Sequence, residues 1–271
     1  MIRLLGRTGA LHAAAAIAIT AASATVAHAA PINFNFTGSG GVGSVGNSLV
    51  FTSGGVTVTA TAWSYWNPSG TANDEFLSAA LGQWSQGLGV CNSAEISSNG
   101  GCATNGEHQV DNTAESNYNF DGVLLTFSTP VDLSSMTITS TDGSDLDAAW
   151  WAGTPGVGAS LNDLSLAELG MFFGAGMVSG VSTTSATGSR SVTLDPPAPG
   201  TLVKALMFTP YNDISQSYYG NDAFKIGGLT IEETTSRLDP VPEPASMVLF
   251  GTGLAGLAAR ARRRFTKKDA Q

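Results

Sequence analysis

Apolar and polar residues alternate strictly in "INFNFTG" (32–38), the pattern of a strand with one face in a core and one in water. "GVTVTATAW" (55–63) repeats the pattern: Val56, Val58, Ala60 and Ala62 share one face and three threonines take the other. The same reading predicts strands at 123–128 ("VLLTFS"), 133–141 ("LSSMTITST"), 147–153 ("DAAWWAG"), 189–195, 201–208 and 224–233. "LSLAELGMFF" (164–173) fits a short helix capped by Asn162 or Asp163 and also fits a strand, with helix slightly favoured. Pro196, Pro197 and Pro199 break the chain between two of the strands. The region 64–120 has few apolar runs and many Gly, Asn and Ser. A loop of that size is unusual in a compact domain, so something must tie it down. The pattern predicts an all-β fold: a single antiparallel β-sandwich, jelly-roll-like, over residues 31–233, followed by a linker at 234–241.

The two ends follow different rules. Residues 1–30 carry Arg3 and Arg7, then an Ala-rich apolar stretch, then "AHA" before Ala30 and Pro31. This is the layout of a secretory signal peptide cut after Ala29 or Ala30, handled by the Sec translocon and signal peptidase. An uncleaved N-terminal anchor is the alternative. At the other end, "VPEPASMVLFGTGLAGLAARARRR" (241–264) contains 15 uncharged residues from Ala245 to Ala259. As helix they would extend about 22 Å, short of a hydrocarbon core of about 30 Å. Arg260, Arg262, Arg263 and Arg264 follow at once. Their side chains can snorkel to the interface and mark the cytoplasmic side, leaving residues 265–271 as a cytoplasmic tail. Everything before Pro242 would then lie outside, with membrane contact only through the C-terminal helix.

Pro242, Glu243 and Pro244, the apolar helix 245–259 and the basic cluster 260–264 together resemble the PEP-CTERM sorting signal. The resemblance implies an exported protein whose tail is processed by an exosortase, an integral-membrane transpeptidase-like protease. Pro242, Glu243 and Pro244 would be recognition elements in that substrate, not catalysts. The helix would be a temporary stop at the inner membrane before the protein reaches the cell surface or the medium. The family is associated with extracellular polysaccharide and biofilm material. Within the body, "WSQGLGVCN" (84–92), "EHQVDN" (107–112), "DGVLLTFSTPVDLSSMTIT" (121–139) and "NDAFKIGGLTI" (221–231) resemble a subgroup of exosortase-dependent surface proteins. That likeness implies no particular activity.

Setting the ends aside changes the charge. Residues 31–240 hold only Arg190, Lys204, Lys225 and Arg237 against 19 carboxylates, a net charge of −15, whereas the whole chain carries −9. Such a body excludes nucleic-acid binding through phosphates and attracts divalent cations, although solubility alone also explains the excess.

The chemistry-bearing residues are few. Cys91 and Cys102 lie in the long region, and an exported compartment favours a disulfide between them. Two free thiols, or a zinc site with His108, are the alternatives, and two Cys with one His do not match the common zinc patterns. His108 is the only body histidine, and no Gly-x-Ser-x-Gly elbow accompanies it. It reads as a structural residue, and the protein reads as non-enzymatic. The glycine-rich "GSGGVGSVG" (38–46) lacks the Lys and helix of a phosphate loop and reads as a flexible turn. Carboxylates and amides crowd 107–121: Glu107, Asp111, Asn112, Glu115, Asn117, Asn119 and Asp121. With Asp222 approaching from elsewhere, Glu107, Asp111, Asn112 and Asp121 form a candidate calcium set, the competing reading being a solvated acidic loop. Trp66, Trp150 and Trp151 are candidate sugar-stacking residues, set against ordinary core packing. The expected function is an exported surface or matrix protein. A carbohydrate-binding module on the cell's own exopolysaccharide is the alternative, and a secreted hydrolase using paired carboxylates stands further off.

Overall fold

The computed structural model describes residues 30–66, 74–96, 102, 108–112, 118–140, 142–194, 201–211 and 222–232. The signal peptide to residue 29, the linker 234–241, the sorting segment 242–264 with the tail that follows it, and Glu107, Glu115 and Asn117 lie outside the described residues. Among the described residues no helix is long and apolar enough to cross a membrane. Residues Ala29–Ser236 form one compact unit.

The strands run, in order, β1 (Ile32–Asn35), β2 (Gly41–Val45), β3 (Ser48–Ser53), β4 (Val56–Trp66), β5 (Glu75–Ser78), β6 (Ala80–Trp84), β7 (Gly87–Cys91), β8 (Val110–Asp111) and β9 (Tyr118–Thr139). Then come β10 (Ala148–Gly153), a 3-10 turn (Leu166–Glu168), the short helix α1 (Leu169–Phe173), β11 (Val178–Ser182), β12 (Ser189–Thr193), β13 (Val203–Pro210) and β14 (Ala223–Glu232). All ladders between them are antiparallel.

β9 organises the molecule. Its first half pairs with β4 and β13, and its second half pairs with β14 and β12. One layer therefore runs β11-β10-β13-β9-β4, with β3 and β5 along the far edge of β4. The other runs β12-β9-β14-β7-β6-β2, with β1 beside the C-terminal part of β14. Between its two duties β9 spends residues 127–130 opposite the single Lys204 of β13. Pro130, which has no N–H to give a ladder, sits in that bulge.

The core lies between the layers. On β4, Val56, Val58, Ala60 and Ala62 lie beside Val123, Leu125 and Phe127 of β9, and Phe34, Leu88, Val90, Ile138 and Ile226 close over them from the other layer. The outer face of the first layer is also covered. Tyr65, Phe120, Leu124 and Met207 pack under Leu161, Leu169, Phe172 and Phe173, brought by the segment around α1.

The sheet architecture bears out the all-β reading, with differences in detail. Strands predicted at 123–128 and 133–141 are one strand. The region 64–120 is not a loop: it carries β5, β6, β7 and β8. The turn expected at 38–46 contains β2. The helix at 164–173 exists but is capped by Ser165 in a box with Glu168, not by Asn162 or Asp163. β6 and β7 escape a hydropathy reading because glycines replace side chains in them. A Cβ on Gly89 would overlap the carbonyl oxygen of His108, so only glycine lets the 108–112 segment lie against β7.

Candidate functional site

At one end of the sandwich the core-facing rows turn polar. The row Val58, Ala60, Ala62 ends in Ser64, and the row Phe127, Leu125, Val123 ends in Asp121. Ser64 and Asp121 are register partners, and the Ser64 hydroxyl donates to Asp121 Oδ1 at 2.5 Å. Two further carboxylates join Asp121. Glu95 follows β7, held by the N–H of Asn92 donating to Glu95 Oε2 at 2.7 Å, while Asn92 Oδ1 accepts from the N–H of Ala94 at 2.9 Å. Asp111 arrives on β8, which pairs with β14. One carboxylate oxygen from each of Glu95, Asp111 and Asp121 lies within 4.8 Å of the others, and all three residues are buried. Asp121 is 1% exposed, yet its Oδ2 has no hydrogen-bond partner. Burial, then the charges of Glu95 and Asp111, push the Asp121 carboxyl well above the usual carboxylate range, while its bonds to Ser64 and Asn92 oppose the rise.

The segment carrying Asp111 is fastened on its other side. Cys91 and Cys102 form a disulfide. The His108 ring stacks on Trp84 at 5.1 Å, nearly parallel, and its Nδ1 lies 3.7 Å from Cys91 Sγ. Lys225 Nζ donates to the His108 carbonyl and sits 4.1 Å over the Trp84 ring. Burial lowers the Lys225 ammonium to about 8, and the charge of Asp111 works against that drop.

A second carboxylate group lies nearby: Asp145, Asp147 and Asp222, again with oxygens within 4.8 Å of one another. Each of its acids accepts at least one hydrogen bond from the protein. Asp222 Oδ2 accepts from Asn112 Nδ2 at 2.8 Å, and Asp222 Oδ1 accepts from the N–H of Asp147 at 3.1 Å. Asp145 Oδ1 accepts from the N–H of Leu146 at 2.7 Å, and Asp147 Oδ1 accepts from the N–H of Thr184. The Arg190 guanidinium, bound to Ser182 and to the Leu146 carbonyl, supplies positive charge. Burial first, then the charges of Asp147 and Asp145, raise the Asp222 carboxyl to about 6, against its bonds to Asn112 and to the Asp147 N–H.

The structure thus divides the residues expected to act as one set. Asp111 and Asp121 belong to the first group, Asn112 and Asp222 to the second, and Glu107 lies outside the described residues. Asp111 and Asn112 are adjacent, and successive residues of an extended chain point to opposite sides. Sequence reading missed Glu95, because it falls outside the crowded 107–121 stretch, and Ser64. It also passed over "DGSDLD" (142–147), where Asp145 and Asp147 are visible.

The tryptophans divide too. Trp150 is 3% exposed and belongs to the inter-layer core, so it offers no face to a sugar. Trp151, its neighbour, points the other way into a groove of about 310 Å³ lined with Phe120, Leu166, Val181 and Tyr211. Trp66 is half-buried at the end of β4 and is not among the residues lining that groove.

The described body is an antiparallel all-β protein with an acidic, disulfide-closed end. Residues 240–264 match the PEP-CTERM protein-sorting motif. The motif marks an exosortase-dependent exported protein, anchored transiently at the membrane before release to the surface. No curated protein and no solved structure matches the chain.

Proposed function

We propose that the protein is a non-enzymatic component of the cell surface or extracellular matrix, associated with exopolysaccharide in biofilm. Export would begin through the Sec translocon and signal peptidase at the N-terminal end. The observation that carries this reading is the sorting motif at 240–264 behind a compact, strongly acidic β body. The setting of His108 supports the non-enzymatic part: the only histidine of the body is stacked on Trp84 beside a disulfide sulfur, the packing of a structural ring. A second reading, a carbohydrate-binding module, is favoured by the groove beside Trp151 and Tyr211, where an aromatic ring borders an apolar depression.

The test is co-sedimentation of the full-length protein, in mild detergent, with exopolysaccharide from the producing cell. Retention lost in Trp151→Ala supports the module. Retention unchanged in Trp151→Ala leaves the surface-protein reading and removes that groove. Release of new reducing ends from the polysaccharide would sink the non-enzymatic reading.

A further inference from the structure

We propose that Glu95, Asp111 and Asp121, with Ser64 and Asn92 beside them, form a calcium site that ties the disulfide-closed segment to the first half of β9. The inference is independent of whether the protein binds sugar. Three carboxylates removed from water need compensation by donors, protons or a cation. Asp121 Oδ2 is buried with no donor, in a residue whose other oxygen is already taken by Ser64. The one nearby ammonium among the described residues, Lys225, acts on Asp111 and is itself committed to the His108 carbonyl and the Trp84 ring.

A divalent cation meets each of these conditions at once. Calcium binds oxygens at about 2.3–2.6 Å, so its ligand shell is about 5 Å across. The three carboxylate oxygens, within 4.8 Å of one another, fit inside that span. The donor set is entirely hard oxygen, which suits calcium and magnesium better than zinc or copper. Magnesium demands strict octahedral geometry and gives up water reluctantly, which a buried site without free access handles poorly. The second group, Asp145, Asp147 and Asp222, is excluded from the proposal because backbone N–H groups and Asn112 already bond to each of its acids and the nearby Arg190 charge offsets theirs.

The experiment is calcium titration of the full-length, EDTA-stripped protein in mild detergent, followed by calorimetry and thermal melting. One equivalent should bind. Melting should rise by roughly 5–10 °C at a hundredfold excess over Kd, and magnesium should do less. Asp121→Asn, which keeps the shape and removes the charge, should lose at least about tenfold in affinity, a loss of about 1.4 kcal/mol. Asp145→Asn should bind as the parent does. If Asp121→Asn does not fold, Glu95→Gln takes its place. If neither folds, hydrogen exchange on the parent decides: calcium must slow exchange around 92–96 and 120–122 more than around 144–148. No binding by the parent up to about 10 mM, beyond the range of about 0.1–1 mM usual for extracellular modules, overturns the proposal. So does binding that survives both variants, or protection confined to 144–148.

Discussion

The two carboxylate groups hold three acids each, with oxygens within 4.8 Å of one another in both, and differ in how far donors from the chain offset their charge. Around Asp222 the chain itself supplies the positive end of each interaction: main-chain N–H groups, the Asn112 amide and the Arg190 guanidinium. Those acids act as connectors, fastening the 142–147 loop to Asp222 at the start of β14 and to Thr184 just after β11. Around Asp121 the neighbours are other acids, one hydroxyl and one amide. Counting carboxylates therefore says little about function. What separates a cross-link from a cation site is whether each lone pair already meets a donor.

Three changes break or sharpen that contrast. The largest effect should come from removing the disulfide with Cys91→Ala and Cys102→Ala together. Closing a loop with a sequence separation of 11 contributes about 3 kcal/mol. Chemical denaturation should show that loss, and the calcium response should weaken with it, because Glu95 lies within the loop that the bridge closes and Asp111 follows it in the chain. An unaltered calcium response would mean that the bridge does not help to shape the site.

Next is Asn112→Ala, which strands the carbonyl of Tyr211 and the N–H of Asp222. A cost of about 2 kcal/mol is expected in denaturant melts. The calcium response should survive, since Asn112 serves the other group. Its loss would show that the two groups act as one.

The smallest effect is in pH. The Asp222 carboxyl lies at about 6 in the fold against an ordinary 3.8. Because the fold favours the protonated form, stability is greatest below the ordinary value and declines as pH rises through this window, with the loss complete above about 6. Asp222→Asn should flatten that part of the stability profile measured without calcium. A parent profile that rises across the same window would contradict the sign.

Much of the sandwich was legible because its strands alternate. β1 and β4 appear where the pattern put them, and the neighbours Trp150 and Trp151 do face opposite ways. β6 and β7 were hidden because Gly82, Gly87 and Gly89 leave no side chains to read, and the reason for Gly89 lies in the distant carbonyl of His108. Pro130 made one bent strand look like two. For the candidate site, the residues were half legible. Asp111 and Asp121 were picked out by crowding. Their true companion Glu95 is 16 residues from Asp111 and reaches it only through the fold. Asp121 did carry a signal: it occupies the next place in the row 127, 125, 123, where an apolar residue would be expected.

The double duty of β9 bears on the order in which an exported chain can assemble. β9 is a shared wall whose second layer waits for β14, and β1, the first strand to emerge in a chain that leaves N-terminus first, also pairs with β14. The earliest strand is thus kept waiting for the latest. β14 ends at Glu232 and the sorting motif begins at 240, so on such a route the last partner would clear the membrane almost together with the segment proposed to halt the chain. A pause there would hold the closing strand beside its unfinished neighbours. The anchor would serve as a clamp during assembly before it serves as an address.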